Sequence, residues 1–220
     1  MTHQKSIVAL STFASVASVA AIAAGCASVP SSAELDKLAS AAIRSSFRSE
    51  GIARIDRLDQ DLGQQACSTG QPPSDDVAEK IRSAALASVK LPADGRFLGD
   101  WKEGEKLAQN GRGMTWTDPS AAPGANGGSC YNCHELAKSE VSYGTIGPSL
   151  YRYGKTRGVA DPSSAVSAPI VQYTWTKLWN SKSYVACSNM PRFGHMGLLD
   201  EKQLRDLMAL LLDPASPVNQ

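Results

Sequence analysis

The sequence has few histidines and cysteines and almost no net charge. Its 220 residues include 3 histidines and 5 cysteines, and 22 basic residues stand against 21 acidic ones. No segment carries the cluster of basic residues that a nucleic-acid-binding face requires, so no nucleic-acid partner is expected. The chain also lacks internal repeats, which excludes a repeat architecture. The apolar fraction of 42% is ordinary, and the length suits one or two small globular domains.

The scarce cysteines and histidines are concentrated in one pentapeptide, Cys130-Tyr131-Asn132-Cys133-His134. Random placement in a chain of this composition would give about 0.002 such motifs. A Cys-x-x-Cys-His motif is typical of covalent attachment of a c-type haem, in which two thiols bind the vinyl groups and the histidine ligates the iron. We therefore predict one covalent haem c on Cys130 and Cys133, with His134 as an axial ligand.

Two other kinds of site use a Cys-x-x-Cys pair. A zinc site needs more thiol or imidazole ligands at similar spacing, and the mature chain offers only the distant Cys67, Cys187 and His195. A thioredoxin-type redox pair follows a strand in a βαβ pattern, and no such pattern surrounds the motif. The sequence therefore favours haem over both.

Residues 1–26 have the features of a secretory signal. Lys5 forms a short basic region, an uncharged stretch rich in Ala, Val and Ser follows, and Ala23-Ala24-Gly25-Cys26 resembles a lipoprotein cleavage box. Plain cleavage without a lipid is the alternative. We expect a periplasmic protein, either free or anchored through a lipid on Cys26.

Export also bears on the other cysteines. The haem would use Cys130 and Cys133, and Cys26 would be lost or lipidated, so Cys67 and Cys187 remain. In an oxidising compartment, two leftover thiols favour a disulfide between them. Two unpaired thiols are the alternative.

Apolar spacing and capping residues predict helices along most of the chain, so the expected fold class is all-α. Residues 27–98 are expected to form a helical N-terminal extension. Its three predicted helices begin after the capping-box residue Ser31, near Ile52, and after Ser74. Gly63 and the stretch Thr69–Pro73 are expected to stop the second. These thinly apolar helices need a partner surface, either the rest of the chain or another protein.

Residues 99–220 are expected to form the haem domain. Its predicted helices cover Asp100–Asn110, a short stretch around Leu136, part of Ser164–Asn180 and a last helix capped by Asp200. A mid-helix glycine costs up to about 1 kcal/mol, so Gly104 in the first of these helices is expected to allow close helix packing.

Haem iron with a proximal histidine carries a methionine, a histidine or no protein ligand on its other side. The candidates are Met114, Met190, Met196, Met208 and His195. Met208 lies on the apolar stripe of the last helix, where packing explains it. Met190 lies in a downstream loop directly before Pro191, which stiffens the backbone, and we predict it as the sixth ligand. Met114, Met196 and His195 remain alternatives.

The segment Gly144–Leu150 is predicted to support His134, with Pro148 as the supporting residue. Pro148 stiffens a turn, and a carbonyl held there would accept a hydrogen bond from His134 Nδ1–H, which fixes the ring. A plain surface turn is the alternative. Arg152 and Lys155, which follow, are expected near a haem propionate.

The order of these features is similar to that of class I cytochromes c, an all-helical family of about this size. More narrowly, the chain resembles the SoxX family, the monohaem subunits of the SoxAX cytochromes. That narrower resemblance lies in Gly144–Leu150 and in Asn189–Gly194 leading to Leu199–Glu201, and overall it covers about residues 99–213.

The resemblance implies a class I cytochrome c haem domain and a set of partners. The chain would pair with a SoxA-like dihaem cytochrome subunit, as the electron-transfer subunit of an L-cysteine S-thiosulfotransferase. That enzyme joins thiosulfate to a cysteine of a SoxY-type carrier protein, and its bond-making site would belong to the partner subunit. A small cytochrome c would accept the electrons. The alternative is a free or lipid-anchored class I cytochrome c that serves an oxidase or dehydrogenase.

Overall fold

The computed structural model of the chain describes residues 29–220. The predicted signal segment, including Cys26, lies outside these residues. The chain divides into two compact units, one reaching to Phe47 and the other Arg48–Gln220. Helices, 3₁₀ turns and loops make up the described residues without any β-strand, which confirms the predicted all-α class. None of the helices within residues 29–220 is long and apolar enough to cross a membrane.

The described part of the first unit contains one helix, α1, Ser32–Ser46. The predicted capping box is confirmed, because the Ser31 side chain accepts from the N–H of Glu34 and the Glu34 carboxylate accepts from the N–H of Ser31 at 2.7 Å. A cap of this kind contributes about 1 kcal/mol to a helix. None of the residues in α1 is buried.

The second unit contains six helices. They are α2 Leu62–Cys67, α3 Asp75–Ala87, α4 Trp101–Gln109, α5 Tyr153–Thr156, α6 Ala168–Trp179 and α7 Glu201–Leu212. Short 3₁₀ turns lie at Ile55–Leu58, Pro123–Ala125, Cys130–Asn132, Ser181–Ser183 and Pro217–Asn219. The predicted boundary between residues 98 and 99 falls inside this unit.

The predicted second helix, with the apolar pattern Ile52, Ile55, Leu58 and Leu62, is wrong as one continuous element. Ile55–Leu58 forms a 3₁₀ turn, and a second capping box then starts a separate helix, α2, which ends at Cys67, just before the predicted stop at Thr69–Pro73. In that box the Asp61 carboxylate accepts from the N–H of Gln64 at 2.7 Å, and the Gln64 side chain accepts from the N–H of Asp61 at 2.8 Å. Gly63 therefore lies inside a helix instead of ending one.

The predicted short helix around Leu136 is also wrong. The carbonyl of Glu135 accepts from the distant N–H of Leu150 at 2.7 Å, and the N–H of Leu136 donates to the Glu140 side chain at 3.0 Å. These contacts use backbone groups that a helix would need for its own hydrogen bonds. Leu136 is nevertheless buried in the core.

The core of the second unit forms where α4 crosses α7. Gly104 allows the close packing that the sequence predicts, because a Cβ there would lie 2.1 Å from the backbone oxygen of Asp206. The buried Asp206 carboxylate accepts from the N–H of Asp100 at 2.9 Å and from Lys202 Nζ at 2.7 Å, so its charge is paired. The apolar side chains that fill the core from α7 are Leu204, Leu207, Met208, Leu210, Leu211 and Leu212.

The segment that follows α3 packs against α6. Trp175 Nε1 donates to the carbonyl of Lys90 at 2.8 Å, and Trp179 Nε1 donates to the carbonyl of Ser88 at 3.0 Å. Each indole ring packs in the core while its N–H keeps a hydrogen-bond partner. The Asn180 amide also donates to the Ser88 hydroxyl at 3.0 Å. This part of the predicted extension thus uses the rest of the chain as its partner surface.

Candidate haem site

The Cys-x-x-Cys-His motif forms a single tight turn. Cys130–Asn132 is a 3₁₀ turn, and the N–H groups of Cys133 and His134 both donate to the Cys130 carbonyl, at 3.0 and 2.9 Å. The turn places both thiols and the His134 ring on the lining of one cavity. Neither thiol takes part in a disulfide, so both are available for covalent attachment.

Two glycines seat this motif against the end of α4. The N–H of Gly128 donates to the carbonyl of Leu107 at 2.8 Å, and a Cβ on Gly127 would lie 1.8 Å from the carbonyl oxygen of Asn110. A residue with a side chain could not come this close to the helix end. Composition predicts only a loop here, and the Gly-Gly pair just ahead of Cys130 is the sequence signal for the contact.

Residues 144–150, which we call the strap, lie along the motif. Three N–H groups of the strap donate at 2.7 to 2.8 Å to carbonyls of the motif region: Gly144 to Tyr131, Gly147 to Cys133 and Leu150 to Glu135. Ser149 Oγ adds a hydrogen bond of 2.6 Å to the Glu135 carboxylate. The strap is therefore fixed to the motif along its whole length.

The strap sets the orientation of the His134 ring. Nδ1 of His134 lies 2.6 Å from the carbonyl oxygen of Pro148, the contact that the sequence predicts. Because a carbonyl oxygen only accepts, Nδ1 carries the proton and Nε2 keeps its lone pair for a metal. Gly147 packs directly against the ring, since a Cβ there would lie 2.1 Å from Cε1 and 2.5 Å from Nδ1. One hydrogen bond and one close backbone contact thus hold the ring.

The motif, the strap and parts of α5, α6 and α7 line a cavity of about 570 Å³. Pockets that enclose organic ligands run from about 300 to 1,000 Å³, so this cavity has the volume for one. Its apolar lining consists of side chains such as Ala108, Leu136, Leu178, Phe193, Leu207, Leu210 and Leu211. Such a lining keeps water away from whatever binds there.

Met190 is the predicted sixth ligand, and it lines the same cavity as His134. None of the other candidates lines it: Met114, Met196, Met208 and His195. Met208 is fully buried in the core, and Met196 is 54% exposed. The cavity lining therefore distinguishes Met190 from the other candidate ligands, which the sequence alone left open.

The loop that carries Met190, residues 187–192, is tied to α2. Cys187 forms a disulfide with Cys67, the last residue of α2, which is the pairing that the cysteine count favours. Within the loop, the carbonyl of Met190 accepts from Ser181 Oγ at 2.6 Å. We call residues 187–192 the ligand loop.

Two cations and no carboxylate belong to the described residues that line the cavity. Arg157 has its guanidinium 3.8 Å from the centre of the Tyr153 ring, and Lys177 projects from α6. Burial lowers the pKa of Lys177. That Arg152 and Lys155 lie near a haem propionate stays a prediction. Neither residue lines the cavity, and Arg152 Nε donates to the Gln220 carbonyl at 3.1 Å. The positive lining suits a ligand that carries carboxylates.

The electrostatics of Cys130 differ from those of a redox-active thiol. Removal from water raises the pKa of this thiol to about 12, and the neighbouring Cys133 adds to the effect. A thioredoxin-type nucleophile has a pKa lowered to about 3.5–7.5.

Two thiols, an oriented imidazole, a thioether and two cations around one apolar cavity fit a c-type haem.

A protein of Aquifex aeolicus (strain VF5) that carries the name "Uncharacterized lipoprotein" is similar to this chain. The two are 38% identical over 168 residues, which is 73% of this chain and 73% of that protein. No model of a known protein family matches the chain.

Proposed function

The chain belongs to the family of the uncharacterized lipoprotein of Aquifex aeolicus, and we propose that it is an exported monohaem c-type cytochrome with a class I fold. The observation that carries the proposal is the single cavity lined by Cys130, Cys133, His134 and Met190. Three of these residues are neighbours in the sequence, whereas Met190 comes from a loop that only the fold brings to them.

Different residues of the cavity would bind different parts of the haem. Cys130 and Cys133 bind its vinyl groups, and His134 Nε2 and the Met190 thioether ligate its iron. The Pro148 carbonyl accepts the Nδ1 proton of His134 at 2.6 Å, which orients the ring and raises its basicity. A haem held in this way supplies a one-electron couple, and thioether ligation raises its reduction potential.

Arg157 and Lys177 would neutralise the two haem propionates. Replacing both by glutamine is expected to lower the reduction potential by about 40 mV per charge, because a nearby cation disfavours the more positive ferric state by about 1 kcal/mol. Lys155→Gln is the matched control, since Lys155 is an exposed cation on α5 outside the cavity lining. Potentiometric titration of the three proteins makes the comparison, and equal shifts in the control and the double variant would contradict this role.

More narrowly, we propose that the chain is a SoxX-like subunit. The two segments that carry this resemblance are the strap and Asn189–Gly194, and these are the segments that support His134 and present Met190. In this role the chain takes electrons from a SoxA-like dihaem subunit as thiosulfate is joined to the cysteine of a SoxY-type carrier. It passes them to a small cytochrome c, and no residue of the chain makes or breaks the sulfur bond.

The second candidate is a lipid-anchored class I cytochrome c that serves an oxidase or dehydrogenase. The name of the Aquifex aeolicus protein favours a lipid anchor, and Cys26 is the residue that would carry it. Such an anchor would hold the chain at the periplasmic side of a membrane. Both candidates use the same haem site and differ in their partners.

Purification of the full chain from its native source tests the proposal and separates the two candidates. We expect one haem that stays on the chain in denaturing gels, and a dihaem protein that co-purifies in equal amount. Haem without that partner would support the lipid-anchored carrier. A chain without covalent haem would refute the cytochrome proposal. Cys130→Ala/Cys133→Ala should lose the haem, whereas Cys67→Ser/Cys187→Ser should keep it.

A further inference from the structure

The ligand loop is held on both sides of Met190 by α2, a helix of the N-terminal extension. On one side, Cys187 is bonded to Cys67 at the end of α2. On the other side, an Arg192 guanidinium nitrogen donates to the carboxylate of Asp61 at 2.8 Å, and Asp61 is the cap at the start of α2. The two ends of one short helix therefore bond to the loop at two positions, three residues before the methionine and two residues after it.

The Asp61–Arg192 pair is partly shielded from water on its arginine side. The Arg192 side chain is 16% exposed and that of Asp61 is 43% exposed. One Asp61 oxygen accepts from the N–H of Gln64 at 2.7 Å and the other accepts from Arg192. Partial burial raises the pKa of Asp61, but these bonds outweigh it and the net pKa lies below the usual value. The carboxylate is therefore charged at neutral pH, and a charge-assisted bond with limited exposure contributes more than an exposed one.

A third contact holds the backbone of Met190 itself. Ser181, which is fully buried, donates to the Met190 carbonyl at 2.6 Å. The neighbouring Asn180 donates to Ser88, the residue just after α3, so a hydrogen bond joins the residue next to Ser181 to the N-terminal extension. Two of the three contacts on the ligand loop, those of Cys67 and Asp61, thus come from residues that precede the predicted haem domain in the sequence.

We propose that α2 is the positioning element for the sixth haem ligand, and that Asp61, Cys67, Cys187 and Arg192 are its positioning residues. This inference rests on the proposed haem site, and α2 lies outside the residues 99–213 that resemble known cytochromes. A methionine on a loop is in equilibrium between a ligated and a detached state, and ordering the loop costs conformational entropy. Anchors that order the loop beforehand shift this equilibrium toward ligation.

The test uses the full holo-protein with Asp61→Asn, Cys67→Ser and Cys187→Ser combined. Haem attachment should be unchanged, while the near-infrared sulfur-to-iron band weakens and carbon monoxide binds the reduced protein on the order of tenfold more tightly. Asp94→Asn is the matched control. The Asp94 carboxylate also accepts from a distant arginine, Arg205, at 2.7 Å, but that pair lies outside the cavity lining and does not involve the ligand loop. The control should behave as the wild type.

The outcomes distinguish this inference from the assignment of Met190. If the triple variant keeps the full band and the wild-type affinity for carbon monoxide while Met190→Ala loses the band, α2 does not position the ligand. If Met190→Ala also keeps the band, the ligand assignment is wrong and the positioning role is overturned with it. Should the triple variant fail to accumulate, Asp61→Asn alone, which retains the disulfide, is expected to show the same change to a smaller extent, and wild-type behaviour would overturn the inference.

Discussion

Replacing Met190 by alanine is expected to leave the haem covalently attached and to open one side of the iron. Both thiols and His134 remain in place, because the motif and the strap are held by their own hydrogen bonds. Without the thioether, the near-infrared band of the oxidised protein should disappear and the reduced protein should bind carbon monoxide. The reduction potential should fall by on the order of 0.1 V or more, within the range of about 0.8 V that axial ligands span.

The controls for this substitution are the methionines outside the cavity. Met196→Ala and Met114→Ala should keep the band and the potential of the wild type, because neither residue lines the cavity. A band that survives in Met190→Ala would remove Met190 from the iron. A band that is lost in Met114→Ala instead would move the assignment to the loop ahead of the motif.

Replacing Gly147 by alanine is expected to displace the His134 ring. The added Cβ would lie 2.1, 2.5 and 2.8 Å from Cε1, Nδ1 and Nε2 of that ring, which is closer than carbon atoms in proteins approach. The strap cannot retreat easily, since the N–H of Gly147 donates to the Cys133 carbonyl at 2.8 Å. Overpacking of this kind costs about 1–3 kcal/mol, and here the strain falls on the ring that is proposed to ligate the iron.

Spectra and thermal unfolding of the holo-protein measure this effect. Gly147→Ala should give less low-spin haem and a lower unfolding temperature. Gly124→Ala is the matched control, because a Cβ at Gly124 would meet nothing within 4 Å. A wild-type spectrum in Gly147→Ala would mean that the ring is not held against the strap.

Local structure was largely predictable from the sequence. The capping box at Ser31, the cap at Asp200 and the bounds of α4 follow from residues within one turn of each other. The two wrong helices fail where another contact competes for the backbone. In one case, Asp61 caps a new helix within the predicted one. In the other, the Glu135 carbonyl accepts from the N–H of Leu150 and is not available to a helix.

Some contacts of the candidate site were also predictable from the sequence, and others were not. The bond between His134 and Pro148 was predictable, because a stiff turn close to the motif leaves few places for its carbonyl. That Arg157 and Lys177 line the cavity was not predictable, because it depends on the direction in which each side chain leaves the backbone and on the residues that it meets. Sequence spacing alone does not specify either quantity.

The all-α class and the motif at Cys130–His134 are readable from the amino acids alone, because both depend on residues close together in the chain. Folding of the whole chain is needed to bring Met190 into the same cavity as His134 and to bond α2 to the loop around it. Segments this far apart meet only when the whole core forms, since their separation in the chain sets no distance between them until packing does.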